Sequence, residues 1–128
     1  MPNRIHLIWQ ILEPNGKETS QGSFLKFTAH TFKKMLLQQP DKLLQYKVNA
    51  ANKQYEFWQR DSLAIELYSL PVAVQKLNYI HNNPVAAHWQ LCNYPTDYPY
   101  SSAAYYEDGE DKFGFLKNLF DYFYEGGL

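Results

Sequence analysis

The stretch PNRIHLIWQ, residues 2–10, decides the fold prediction. Side chains of different character alternate along it with a period of two, which is typical of a β-strand with one face on a core. We predict one strand over residues 3–12, whose apolar face has four members: Ile5, Leu7, Trp9 and Ile11. The opposite face brings Arg4 and His6 together. This pair is either the floor of an active site or the polar side of a half-buried strand.

The size and composition of the chain limit the number of domains and the class of protein. Its 128 residues, 45% hydrophobic and 20% charged, have room for one core. We therefore expect a single domain over 1–128, with 107–128 as a tail of uncertain role. No apolar run approaches the ~20 residues that cross a bilayer, and the N-terminus lacks the apolar core of a secretory signal. A cytoplasmic protein without a membrane partner is expected, and Cys92 is interpreted as a small buried apolar residue.

Positive charge is concentrated in the first half of the chain. Residues 1–60 contain nine Lys or Arg and four Asp or Glu, and residues 61–128 contain three and nine, although the net charge is only −1. This distribution allows a basic surface for a polyanion. It is also expected of ordinary solvated surface followed by an acidic tail.

Turn residues and apolar spacing divide the first half of the chain. After a loop over 13–22, Ser23 can cap a helix that ends at about Gln39, because Pro40 follows. On the flank of this helix, three side chains at i, i+4 and i+7 form a row that either meets a phosphate or is simply solvated: Lys26, His30 and Lys33.

Residues 41–53 are predicted as a short helix and a loop, and residues 54–69 as two strands or one bent strand. Within the latter, Trp58 and Arg60 are candidates for DNA contact or for packing, and Trp58 is more simply a core residue. A further helix is predicted over 112–124, where four apolar side chains keep helical spacing: Phe113, Leu116, Phe120 and Phe123.

The helix predicted over 71–83, PVAVQKLNYIHNN, is the most informative element. Pro71 favours its first turn and Pro84 disfavours its continuation. At ~100° per residue, Tyr79 lies off the apolar stripe, near Lys76 and one turn before Asn83. A phenol, an amide oxygen and a nearby positive charge are the parts of an activated nucleophile. An exposed tyrosine with polar neighbours is the simpler interpretation of the spacing alone.

Four collinear segments carry a family resemblance: MPNRIHLIW at 1–9, FWQRD at 57–61, NYIHNNPVAAHW at 78–89 and YPYSSAAYY at 98–106. Together they resemble the HUH-type single-tyrosine transposases of bacterial mobile elements, and in particular the REP-associated tyrosine transposase branch. The resemblance implies an α+β fold, a ferredoxin-like antiparallel sheet with helices packed on it.

The resemblance also implies a reaction and the residues that perform it. Tyr79 matches the family's nucleophile, which attacks single-stranded or hairpin DNA and gives a 5′-phosphotyrosine intermediate. His6 and Asn83 match ligands of a Mg²⁺ or Mn²⁺ ion that polarises the scissile phosphate. Candidate DNA contacts are found in several parts of the chain: Arg4, Lys26, His30, Lys33, Arg60 and Lys76.

Two departures weaken the resemblance. Arg4 stands where the family has the first His of the HUH motif, and a guanidinium has no lone pair for a metal. Arg4 can instead hold a phosphate through its own donors. The chain also begins at the HUH strand, so that the family's first strand-helix-strand is missing. A shortened protein, or a homodimer whose partner supplies the strands, is expected.

Three functional hypotheses remain open from the sequence. The first is a transposase-like enzyme that cleaves and rejoins single-stranded DNA. The second is a non-catalytic, shortened relative that binds DNA or a partner chain. The third is a structural domain without a nucleic-acid role.

Overall fold

The structure, a computed structural model, describes residues 2–14, 16–60 and 62–123. The chain divides into two compact units. The inner unit comprises Trp9–Ala64, and the terminal unit comprises Met1–Ile8 together with Ile65–Leu128.

The inner unit is built on helix α1, Ser20–Leu36. Its N-cap is Thr19, whose Oγ1 accepts a hydrogen bond from the backbone N–H of Gly22 at 3.0 Å. The predicted cap at Ser23 is wrong, because Thr19 satisfies the first free N–H groups one turn earlier. The helix ends at Leu36, three residues before the predicted end at Gln39. The positive charges of Lys33 and Lys34 in its last turn interact favourably with the negative end of the helix dipole.

Aromatic rings provide most of the packing in the inner unit. Trp58 packs against Phe24 and Phe32 of α1, with ring centroids 6.3 and 5.8 Å apart. The indole Nε1 of Trp58 also donates to Thr28 Oγ1 at 2.9 Å. Trp58 is therefore a packing residue, as the simpler interpretation of the sequence predicted.

A short helix and a turn complete the inner unit. Helix α2, Pro40–Leu44, buries Leu43 and confirms the short helix predicted after Pro40. The chain then turns back on itself: Glu56 N–H donates to Tyr46 O at 2.8 Å, and Lys47 pairs with Tyr55 in an isolated antiparallel bridge.

The terminal unit is organised by helix α3, Leu70–Asn82. This confirms the helix predicted over 71–83 to within one residue at each end. Pro71 lies in its first turn, where a missing N–H costs no hydrogen bond, and Pro84 follows in a short 3-10 helix, Asn83–Val85.

The core of the terminal unit lies on one face of α3. Ala73, Leu77 and Leu119 are buried, and six half-buried side chains pack around them: Ile8, Leu67, Leu70, Val74, Tyr106 and Phe123. Ile8 belongs to the N-terminal segment, so the segment contacts the core through the face that also bears His6.

After α3 come a 3-10 helix at Pro95–Asp97 and helix α4, Ala103–Asp108. The helix predicted over 112–124 is wrong for the described residues, which show only a 3-10 helix at Leu119–Tyr122. Gly114 has a φ of 80°, outside the right-handed helical region, so a helix is interrupted there. The Asp111 carboxylate fixes this turn by accepting three backbone N–H groups, from Phe113, Gly114 and Leu116, at 3.0, 2.8 and 2.8 Å.

The predicted ferredoxin-like sheet is also wrong. Residues 3–12 and the described parts of 54–69 form no sheet, and among the described residues β-structure is limited to isolated bridges. The apolar face of the N-terminal segment is open: Ile5, Leu7, Trp9 and Ile11 are 49, 49, 48 and 57% exposed. A period of two fixes which side chains share a face, but a strand also requires a neighbour for its backbone hydrogen bonds.

None of the helices within the described ranges has the length and apolar character needed to cross a membrane.

Candidate functional site

Tyr79 and His6 meet in the terminal unit. Tyr79 lies on α3 and is 57% exposed, as predicted from its position off the apolar stripe. The ring of His6 contacts the Tyr79 ring edge to face, with centroids 5.9 Å apart. The arrangement therefore combines an accessible phenol with an imidazole beside it.

His6 is held in a partly buried environment. Its Nε2 atom is buried and has no hydrogen-bond partner among the described residues. Burial lowers the pKa of His6 below its ordinary value near 6.5, and the positive charge of Arg4 lowers it further. The neutral imidazole is consequently the favoured form at pH 7.

Arg4 lies over an aromatic ring. Its guanidinium carbon is 5.8 Å from the centroid of the Trp89 ring, within the range of a cation–π interaction. Trp89 is half-buried, and its Nε1 atom is buried without a hydrogen-bond partner in the described part of the chain. Trp89 was not predicted as a site residue, although it ends the NYIHNNPVAAHW segment.

A closed loop holds Trp89 after α3. The backbone N–H of Leu91 donates to Pro84 O at 2.8 Å, and that of Trp89 donates to Ala86 O at 2.9 Å. Gln90 has a φ of 46°, in the left-handed region that disfavours side chains with a Cβ. The two hydrogen bonds thus fix the backbone of Trp89, and they hold Gln90 in its strained conformation.

Asn83 is a buried polar residue at the end of α3. It lies one turn after Tyr79 and is 5% exposed. Its Nδ2 atom has no hydrogen-bond partner among the described residues. Lys76, one turn before Tyr79, is half-buried. Lys76 and Tyr79 lie one turn apart on α3, whereas Asn83 follows the end of the helix and, unlike Tyr79, is buried.

The remaining predicted DNA contacts belong to the inner unit. Lys26 and His30 are exposed on α1, and Lys26 Nζ lies 4.0 Å from Glu18 Oε1. Lys33 Nζ lies 5.7 Å from the centroid of the Tyr55 ring. The helix brings these three residues into one row, as predicted, but Lys26 and Lys33 already have partners within the protein.

An open groove of about 440 Å³ lies at the turn of the inner unit. Arg60 lies on its wall with 79% of its side chain exposed, and its Nε is 3.9 Å from Glu56 Oε1. Lys47 and three aromatic residues also line the groove: Tyr46, Phe57 and Trp58. Positive and aromatic groups therefore occur together around Arg60.

The described residues offer few metal ligands around His6. Among the described residues, no group of three or more His, Cys, Asp or Glu side chains could hold a metal ion. His6 and Asn83 offer one imidazole and one amide, while Arg4 adds positive charge close enough to depress the pKa of His6. Mg²⁺ prefers several oxygen ligands and near-octahedral geometry. Binding of Mg²⁺ or Mn²⁺ stays a prediction from the resemblance.

A second histidine was not singled out by the sequence. His81 lies on α3, and its Nε2 is 2.8 Å from Ser102 Oγ. Burial lowers the pKa of His81, and Glu107 opposes this shift. The ring also contacts Tyr106, with centroids 5.4 Å apart. His81 therefore joins α3 to the chain around α4, and its role is structural.

Comparison of the chain with family models, with curated proteins and with solved structures finds no match.

Proposed function

We propose that the protein is a transposase-like enzyme that cleaves and rejoins single-stranded DNA through Tyr79. The single observation that carries the proposal is the accessible Tyr79 phenol with the neutral imidazole of His6 at its edge. The segment resemblance supports the same assignment, because Tyr79 and His6 match the family's nucleophile and one histidine of its HUH motif.

The reaction is a transesterification at phosphorus. A bond forms between Tyr79 Oη and the phosphorus atom, and the bond from phosphorus to the 3′-oxygen breaks. The phenolic proton passes to a base or to water, and the departing 3′-oxygen takes up a proton. The bond energy is kept in a 5′-phosphotyrosine, so a second DNA 3′-hydroxyl can reverse the step.

Negative charge on the phosphate is the main obstacle to this attack. The guanidinium of Arg4 is a permanent positive charge with several donors, and it can bond the non-bridging oxygens directly. Lys76, near Tyr79 on the same helix, provides a second positive charge for the phosphate. No step of this mechanism requires a divalent cation.

Formation of a covalent adduct tests the proposal. The purified protein is incubated with 3′-end-labelled single strands that carry a hairpin beside a randomised segment, with Mn²⁺ and separately with EDTA, because the 5′-phosphotyrosine retains the 3′ fragment. We expect a labelled protein band after denaturing electrophoresis, because the phosphotyrosine bond survives denaturation. Tyr79→Phe should abolish the band.

A matched variant shows whether the adduct depends on Tyr79 in particular or on any exposed tyrosine. Tyr68→Phe removes the hydroxyl of another exposed tyrosine, 70% exposed, and should leave the adduct unchanged. The same adduct in Tyr79→Phe, or no adduct in the unaltered protein under either condition, would overturn the enzymatic proposal.

A second candidate function is a non-catalytic protein that binds single-stranded DNA. Arg4 at the first histidine position favours it, since that residue removes a metal ligand but adds a phosphate contact. Binding by charge falls as salt rises, with a slope of about −0.7 per phosphate neutralised on a single strand. Salt-dependent binding that persists in Tyr79→Phe, in a protein without adduct, would favour this candidate.

Lys26 provides a specific test of the DNA-binding row on α1. Lys26→Gln should weaken binding of all sequences alike and reduce the salt slope by about 0.7, because one phosphate contact is lost. An unchanged slope would remove Lys26 from the DNA contacts. A homodimer stays a prediction from the family resemblance.

A further inference from the structure

We propose that the cluster of Arg4, His6, Tyr79 and Trp89 is an anion site that binds the phosphate of a nucleic acid without a divalent cation. Arg4 supplies the positive charge that a metal ion would otherwise supply. The inference rests on the same site as the proposed function, and it specifies how that site holds its ligand.

The first argument is the state of Arg4. Its side chain is exposed, and no carboxylate of the described residues forms an ion pair with it. The guanidinium carbon of Arg4 lies 5.8 Å from the Trp89 ring centroid, and a cation–π interaction with the ring does not use the N–H donors as an ion pair would. A guanidinium presented in this way is suited to a phosphate, whose oxygens match the fork in two parallel hydrogen bonds.

The second argument is the kind of atom that lacks a partner. Three buried side-chain nitrogens of the described residues have no hydrogen-bond partner, and they belong to His6, Asn83 and Trp89. Such atoms are rare in folded proteins and call for an explanation, such as an ion at the site. The indole Nε1 of Trp89 can only donate, whereas the other two nitrogens are on side chains that can also offer an acceptor.

The two donor-only groups decide between an anion and a cation. Arg4 and Trp89 present N–H groups and no lone pair, so they repel or ignore a metal ion and attract phosphate oxygens. His6 and Asn83 are compatible with either ligand. Arg4 is the exposed donor of this set, so a phosphate is bound through its guanidinium beside Trp89, and its charge opposes a cation at the same place.

Nuclear magnetic resonance of the indole N–H groups tests the proposal directly. The protein has three tryptophans, so a ¹⁵N-labelled sample gives few indole signals, and Trp89→Phe identifies that of Trp89. Inorganic phosphate, and then a short oligothymidylate, is added in EDTA at constant ionic strength. We expect a saturable shift of the Trp89 signal. The Trp58 signal is an internal reference, because that N–H already donates to Thr28.

Substitutions assign the binding to Arg4. Arg4→Gln removes the charge and the fork, and should weaken phosphate binding roughly tenfold or more. Lys112→Gln removes one exposed positive charge from the same unit and should leave the titration unchanged. Equal titrations for Arg4→Gln and the unaltered protein would overturn the proposal.

The substitution Arg4→His, which restores a histidine at this position, tests whether the site can bind a cation. Mn²⁺ is paramagnetic and broadens signals close to its site, so broadening of the Trp89 signal reports a bound ion. We expect no selective broadening in the unaltered protein and selective broadening in Arg4→His, which adds an imidazole ligand beside His6. Selective broadening of Trp89 in the unaltered protein would contradict an anion site.

The two proposals fail separately. If Tyr79 is not a nucleophile, no adduct forms, but the Trp89 signal still titrates with phosphate in EDTA. If the anion site is wrong, the adduct can still form, and it then depends on Mn²⁺ and disappears in EDTA.

Discussion

His6 contacts Tyr79 edge to face, with ring centroids 5.9 Å apart, although the two residues are far apart in the sequence. The contact arises because the N-terminal segment turns His6 and Ile8 inward, while Ile5 and Leu7 on its other face stay about half exposed. The inward face of this segment therefore bears His6 of the proposed site, and His6 can serve as a reporter of that site.

The pKa of His6 should respond to Arg4. Burial is the larger cause of its depression and Arg4 the second, so Arg4→Gln should raise the pKa toward 6.5 without fully restoring it. Proton NMR titration of the His6 ring measures the change. Lys112→Gln is the control for a general change in charge, and a His6 pKa that stays the same in Arg4→Gln would contradict the coupling.

His81 should make the terminal unit less stable in acid. Burial lowers its pKa in the folded state below the ordinary 6.5, so the unfolded chain binds more protons between these two values. Stability should therefore be highest above pH 6.5 and fall as the pH decreases through that range. Urea denaturation from pH 8 to pH 5 measures this dependence.

Two variants separate the charge of His81 from its hydrogen bond. His81→Gln should reduce the pH dependence, because no imidazole remains to be protonated. Ser102→Ala removes the hydroxyl at 2.8 Å and should lower stability at all pH values while the dependence persists. A pH dependence that His81→Gln does not reduce would exclude His81 as its source.

The N-cap of α1 should contribute measurably to the inner unit. Thr19→Ala removes the acceptor for Gly22 N–H and should cost about 1 kcal/mol. Thr31→Ala is the matched control within the same helix, since the Thr31 hydroxyl only donates back to Phe27 O. Thermal unfolding of both variants compares them, and equal losses would show that Thr19 is not the cap.

The Asp111 carboxylate should stabilise the segment that follows α4. Asp111→Ala leaves three backbone N–H groups without their acceptor and should cost about 2 kcal/mol. Asp108→Ala replaces a nearby exposed acidic residue and is the control. Hydrogen exchange at the amides of Phe113, Gly114 and Leu116 should accelerate only in Asp111→Ala.

The helix that bears Tyr79 was predictable because strong local signals agree. Pro71 and Pro84 mark its limits, and the residues between them keep one apolar stripe, so the exposure of Tyr79 followed from spacing alone. The face of a helix on which a residue lies follows from its spacing in the sequence, so it can be predicted without knowing which distant residues pack against the helix. The same reasoning located α1, and it missed the cap because Thr19 and Ser23 are both acceptable cap residues.

The failures concern structure that depends on distant atoms. The alternation over 3–12 was real, but it could not reveal that no neighbouring strand would pair with it, or that the Ile8 side would contact the core. The spacing over 112–124 was helical, yet Gly114 adopts a φ of 80° in a turn held by the Asp111 carboxylate, and a helix cannot continue through it. Trp89 was missed because only the fold places it beneath Arg4.

The turn at Asp111 extends its influence well beyond its own residues. It presents Leu119 to the inner side of α3, and the hydroxyl of Tyr106 secures Leu119 by accepting its backbone N–H at 2.9 Å. Random mutagenesis with a screen for Tyr79 reactivity should therefore recover inactive clones altered at 111–119, at positions remote from the phenol. Substitutions in that turn therefore offer a way to weaken the packing of α3 without replacing the residues of the proposed site.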